Sequence, residues 1–182
     1  TDTPLKIVKG HFATNHAHTN YYFDLTTVKS RLSEAGGIAQ ALVHMYLYDM
    51  IVDTIVCMEG TEVIGTLLAQ ELTKGGFMSK NAHKTIYVIK PDGKNVLILT
   101  ATVTTGLTIN KAIEGVQYYG GVIQGISAVF SALENVNGIP IKSVFGLKDV
   151  PDYQYSDYRN CPLCKEGKKL DALINPYGYS KL

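Results

Sequence analysis

Cysteine is scarce in this chain. Three cysteines among 182 residues are an odd count and make no disulfide framework. A reducing, cytoplasmic compartment is the simplest expectation. Charge is sparse as well. Only 18% of residues are charged and the net charge is +1, which argues against a protein whose main task is coating nucleic acid or an acidic membrane. Long hydrophobic runs are missing. The uncharged stretch 95–110 is studded with threonine and falls short of the roughly 20 residues that a membrane-spanning helix needs. No basic-then-apolar leader opens the chain, so no membrane partner is expected. Internal repeats and low-complexity linkers are also lacking. Apolar residues are plentiful: 46% of the chain is hydrophobic, too much for a disordered chain and enough for the core of one ordinary domain.

The apolar residues alternate between strand-like and helix-like spacing. Residues 51–58 form a β-branched run that reads as a buried strand. Before it, Ile38, Leu42 and Met45, with Ala41 on the same side, predict a helix over 33–48. A second helix is predicted over 63–72. Strands are predicted at 85–89, 95–99, 122–130 and 141–145, with a turn at Pro91-Asp92-Gly93. Ile109, Ala112, Ile113 and Val116 mark a helix that stops at Gly120-Gly121. Strands alternating with helices predict an α/β domain with a central, mostly parallel sheet flanked by helices. The last thirty residues, rich in tyrosine, proline and charge, are expected to wrap the surface or meet a partner.

In such a sheet ligands bind beyond the carboxyl ends of the strands. The loop 100–108 qualifies. It leaves an apolar strand and enters a helix. Its hydroxyls, backbone N–H groups and helix start suit a phosphate, with Thr104, Thr105, Gly106, Leu107 and Thr108 as the binding residues. No lysine follows Gly106, so it is not a P-loop, and the chain has no Gly-x-Gly-x-x-Gly. A polar turn with a threonine helix cap is the plainer reading of the same residues.

Val96-Leu97-Ile98-Leu99 followed by Thr104-Thr105-Gly106-Leu107-Thr108 resembles the phosphoribosyl-pyrophosphate motif of type I phosphoribosyltransferases. Gly10-His11-Phe12 with Tyr22-Phe23-Asp24 resembles the opening of orotate phosphoribosyltransferases. Val52-Asp53-Thr54-Ile55-Val56 resembles the strand before their pyrophosphate loop. Ile89-Lys90-Pro91 leads into the motif strand in the same way. Cys161-Pro162-Leu163-Cys164-Lys165 resembles the tail of one bacterial branch. The resemblance runs in order through nearly the whole chain. It implies one domain with an N-terminal hood segment (1–32), an α/β core (33–150) and an extended tail (151–182). It also implies a homodimer, for which Tyr21, Tyr22 and Phe23 offer contact surface.

The departures from the family pattern fall on the chemistry. The resemblance implies two acidic residues at the end of the motif strand, holding ribose hydroxyls and magnesium. Thr100 and Ala101 stand there, so magnesium is doubtful and no other cofactor is assigned. The small, glycine-rich pyrophosphate loop is replaced by Met58, Glu59, Gly60, Thr61 and Glu62, and a carboxylate beside pyrophosphate is repulsive. Val129-Phe130-Ser131-Ala132 runs where the family carries an arginine for the orotate carboxylate. A shortened hood loop over 74–84 leaves Lys80 and Lys84 as its basic residues.

These residues predict a protein that binds a phosphorylated small molecule or nucleotide, with little or no transferase activity and a regulatory role. The alternatives are an active phosphoribosyltransferase in which Glu59 or Glu62 supplies the lost carboxylate, and a structural partner of a true enzyme. Cys161-x-x-Cys164 is at most half a zinc site, with His16-x-His18 the compact candidate for the other half. No metal ligand is assigned on that basis. Cys57 and His44 read as packing residues, Lys165, Lys168 and Lys169 as a solvated cluster. Tyr153, Tyr155 and Tyr158 read as one face of an extended segment at an interface or at the edge of the site.

Overall fold

The computed structural model describes residues 3–46, 50–74 and 93–182. Two five-stranded sheets organise them. The core sheet contains β3 (Thr54–Cys57), β4 (Asn95–Val103), β5 (Val122–Ser131), β6 (Asn135–Val136) and β7 (Ile139–Gly146), in the order β3-β4-β5-β7-β6. The pairs β3–β4, β4–β5 and β5–β7 are parallel, and β6 returns antiparallel to β7. The expected α/β architecture holds, with a mixed rather than purely parallel arrangement.

Strand β4 is buried on both faces because apolar residues occupy both of its alternating sides. Leu97, Leu99 and Ala101 pack toward α2 (Leu32–His44) and α3 (Glu62–Lys74). Val96 and Ile98 pack with Ile109, Ile113 and Val116 of α4 (Leu107–Tyr118). The strand runs four residues past Leu99, where the sequence reading began a loop. Thr100 and Thr102 pair in register with Ala128 and Phe130 of β5, and β-branched threonine suits a strand as well as a polar turn. In contrast, β3 is shorter than the predicted 51–58, because the Asp53 carboxylate accepts the Asn95 N–H at 2.9 Å and caps the strand start. Helix α2 ends at His44, which is exposed at the helix terminus instead of packed. The strand expected at 85–89, the residues Pro91 and Asp92, and the hood lysines Lys80 and Lys84 lie outside the described residues.

The second sheet joins the two chain ends. It contains β1 (Lys6–Ala13), β2 (His18–Asp24), β8 (Tyr155–Ser156), β9 (Ala172–Asn175) and β10 (Gly178–Lys181), in the order β10-β9-β1-β2-β8. The tail therefore pairs strand by strand with the N-terminal hairpin. Two shorter helices, α1 (Thr26–Ser30) and α5 (Pro162–Lys165), flank this sheet in sequence. Tyr21 and Tyr22 are buried within the chain, so they do not supply the free contact surface expected of them. Among the described residues, no helix is long and apolar enough to cross a membrane.

Candidate active site

A cavity of about 460 Å³ opens where the two sheets meet. Its floor is the carboxyl end of β4 and the start of α4. Thr104, Thr105, Gly106 and Thr108 line it together with Ala101 and Thr102. Gly106 sits at the helix N-cap with φ of 77°, a left-handed conformation that favours glycine. A β-carbon there would lie 2.9 Å from Val136 Cγ2. No side-chain hydrogen bond caps α4. Thr105 Oγ1 meets the Leu107 N–H only at a long 3.4 Å. The threonine-cap reading is thus not realised, and the first N–H groups of the helix remain available to an anion.

The loop after β3 forms a second wall. Glu59 and Gly60 both take left-handed backbone, with φ of 58° and 78°. Glycine tolerates this; a glutamate there is uncommon and strained. The Glu59 carboxylate swings back to the end of β4. Its Oε2 accepts the Thr100 hydroxyl at 3.0 Å and lies 3.4 Å from the Thr102 N–H. Glu62, at the first turn of α3, also lines the cavity.

Lys29 of α1 is the residue that sequence reasoning missed. Its Nζ donates to the Pro176 carbonyl at 2.6 Å, and it lines the cavity beside Glu59 and Gly60. Burial draws its pKa below the ordinary lysine value, while the nearby Glu59 and Glu62 carboxylates pull the other way. No local pattern marks it, because Lys29 reaches the cavity only once the tail folds across α1.

Phe23 and Tyr153 supply a further wall, with the fully buried Phe130 packed behind them. Phe23 and Phe130 rings lie 4.1 Å apart, and Tyr153 packs on both. The Tyr153 hydroxyl is 3.2 Å from Thr104 Oγ1, and burial pushes its pKa up to about 12. Tyr153 is therefore part of the site's edge, whereas Tyr155 and Tyr158 are exposed. Cys57 is a half-buried thiol whose pKa is pushed up to about 12 by desolvation, with Glu62 adding to the shift. It is unreactive in that state.

These donors do not fit a magnesium ion held by two carboxylates at the end of β4. Ala101 offers a methyl group to the cavity. The Thr100 hydroxyl is buried and committed to Glu59. Hard cations need oxygen ligands free to coordinate.

No protein-family model matches the chain. Curated proteins do. An orotate phosphoribosyltransferase of Thermus thermophilus is 25% identical over 175 residues, covering 92% of this chain and 93% of the relative. One from Chlorobium phaeobacteroides strain BS1 is 29% identical over 176 residues, covering 91% and 88%. Over nearly its whole length the chain is similar to orotate phosphoribosyltransferases. Solved structures of type I phosphoribosyltransferases share its fold. The Mycobacterium tuberculosis orotate phosphoribosyltransferase in complex with Fe(III) dicitrate superposes with a TM-score of 0.57 at 19% identity, covering 80% of this chain and 92% of that one. The Leishmania donovani UMP synthase gives a TM-score of 0.63 at 18% identity, covering 79% of this chain and 34% of that longer one. In this chain Thr104, Thr105, Gly106 and Thr108, the loop residues Glu59, Gly60 and Glu62, and Ala101 at the strand end line one cavity, while Thr100 lies behind it and bonds Glu59.

Proposed function

We propose that the chain binds a phosphorylated small molecule or nucleotide at the 104–108 loop and has little or no orotate transferase activity. The carrying observation is the uncapped start of α4 behind the left-handed Gly106, opening into a cavity with Lys29 on its wall. Backbone N–H groups, threonine hydroxyls and one cation suit a phosphate ester. Support for low turnover comes from Ala101 and the committed Thr100, which among the described residues put no carboxylate of β4 itself at the strand end. The aromatic wall of Phe23 and Tyr153, backed by the buried Phe130 and without an arginine at 129–132, supports a base or ring other than a carboxylate-bearing one.

The test pairs binding with turnover. Nucleoside monophosphates, ribose 5-phosphate and phosphoribosyl pyrophosphate are screened by thermal shift. A ligand at 100 times its Kd should add about 2.7 kcal/mol of stability. Absence of binding across this series would leave the structural-partner reading. Orotate consumption with phosphoribosyl pyrophosphate and magnesium is expected to stay near background. Turnover of about 1 s⁻¹ or more, within the ordinary enzyme range, would overturn the proposal.

One observation favours a second reading, an active transferase with a rearranged site. Glu59 brings a carboxylate to the same strand end from the neighbouring loop. In that case Glu59→Gln would abolish the turnover just described. A homodimer, implied by the family resemblance, is tested by light scattering at tens of micromolar.

A further inference from the structure

Four side chains far apart in sequence meet on the second sheet. They are His11 of β1, His18 at the start of β2, and Cys161 and Cys164 around the short α5. Their ligand atoms all lie within 4.8 Å of one another. His11 Nε2 is 3.2 Å from His18 Nδ1, 3.4 Å from Cys161 Sγ and 3.6 Å from Cys164 Sγ. Cys164 Sγ is 3.3 Å from His18 Nδ1.

These four separations match edges of a tetrahedron around one metal ion. Zinc bonds of about 2.3 Å to sulfur and about 2.0–2.1 Å to nitrogen place two nitrogens about 3.3 Å apart and a sulfur about 3.5 Å from a nitrogen. Hydrogen bonding alone accounts poorly for the cluster. His11 Nδ1 faces the carbonyls of Lys168 and Lys169 at 3.0 and 3.2 Å. Carbonyls only accept, so this network assigns the ring proton to Nδ1 and leaves a lone pair on Nε2. That one lone pair faces three neighbours at once, and a single hydrogen bond can satisfy one of them.

The local backbone aims each ligand. The β1–β2 register shifts between Lys9 and Phe12, so Gly10 and His11 together oppose one residue of β2. Such a bulge re-aims a side chain. Asp171 Oδ2 holds the His11 N–H at 2.7 Å, and a β-carbon on Gly10 would come within 2.7 Å of the same oxygen. Cys161 caps α5, Pro162 takes its first position, and Gly167 with φ of 74° turns the chain back. Cys161 is buried and Cys164 is exposed. Both are free thiols, leaving a route for metal entry.

We propose that His11, His18, Cys161 and Cys164 form a four-coordinate zinc site that fastens the C-terminal tail to the N-terminal hairpin. All four positions are protein ligands, so the site is structural and leaves no open position for substrate. Each thiol that binds gives its proton to solvent, and the His11 Nδ1–H bonded to carbonyls is the outer contact that orients the ring. The expected partner of Cys161-x-x-Cys164 was His16-x-His18. Instead, His16 faces the cavity and His11 replaces it. The hairpin turn 14–16 and the 175–178 turn both line the cavity, so the zinc braces one of its walls.

The experiment measures metal in the full-length protein purified under reducing conditions. One zinc per chain is expected by elemental analysis. Replacement by cobalt should give the strong visible absorption of tetrahedral cobalt and a near-ultraviolet thiolate-to-cobalt band. Cys164→Ser, at an exposed position, should weaken zinc binding by more than the roughly 10–100-fold that outer contacts cost. Cys57→Ala should retain full zinc. Chelation should lower the melting temperature of the wild type and leave that of Cys164→Ser unchanged. A wild-type protein with reduced thiols, no stoichiometric zinc and no tetrahedral cobalt spectrum would overturn the proposal. So would a Cys161–Cys164 disulfide in the freshly purified protein. The wild-type cobalt spectrum decides the matter even if a variant fails to fold.

Discussion

The Glu59 carboxylate accepts the Thr100 hydroxyl at 3.0 Å across the gap between the β3 loop and the end of β4. One acidic residue thereby neutralises a buried donor and takes up strand-end space that a ligand's hydroxyls would otherwise enter. Glu59→Ala is expected to leave the Thr100 hydroxyl without this partner and to destabilise the fold by about 1–3 kcal/mol. Thr100→Val in the same background should recover most of that loss, because both polar partners are then gone. Urea denaturation of the two single variants and the double variant reads out the coupling.

Gly106→Val is expected to weaken phosphate binding at least tenfold. The left-handed φ and the 2.9 Å approach to Val136 Cγ2 both oppose a side chain there. Thr108→Val, which removes one lining hydroxyl without touching the backbone, should weaken binding less. Calorimetry with ribose 5-phosphate measures both, and unchanged affinity in both variants would remove the loop from the binding site.

Ala101→Asp should create magnesium-dependent affinity for phosphoribosyl pyrophosphate before it creates turnover. Ala101 faces the cavity, so a carboxylate there can meet a hydrated cation. Thr100→Asp should instead repel Glu59 and gain nothing alone. Titrations with and without magnesium distinguish these outcomes.

Anion affinity should fall toward alkaline pH through Lys29. Burial has drawn its pKa below the ordinary lysine value, against the pull of Glu59 and Glu62. Below its folded-state pKa the lysine is charged and attracts an anion; as pH rises through that value the attraction is lost. The unfolded chain holds this proton to higher pH, so the same group lets stability rise with pH over that interval. Sulfate is the suitable probe because it does not titrate there. Lys29→Met should flatten the profile, and an unaltered profile would exclude Lys29.

Gly65→Ala tests the packing beneath the site. A β-carbon at Gly65 would lie 2.2 Å from Cys57 Sγ. Overpacking of this kind costs about 1–3 kcal/mol. Adding Cys57→Ala should restore stability, measured by thermal denaturation.

The sequence by itself determined the architecture of the core. The double-sided apolar run Val96-Leu97-Ile98-Leu99 dictated a buried parallel strand, and the spacing of Ile109, Ile113 and Val116 dictated the helix behind the 104–108 loop. Periodicity is a local property, so one segment is enough to read it. Where β4 ends was not legible, because threonine serves a strand or a turn equally and pairing with β5 decided between them. Tertiary structure alone brought Lys29 and His11 to their sites. Lys29 reaches the cavity through the Pro176 carbonyl, 147 residues away. His11 meets Cys161 across 150 residues through a bulge whose register no local pattern encodes. A ligand set is a matter of distance in space, and the sheet that joins the two chain ends sets that distance.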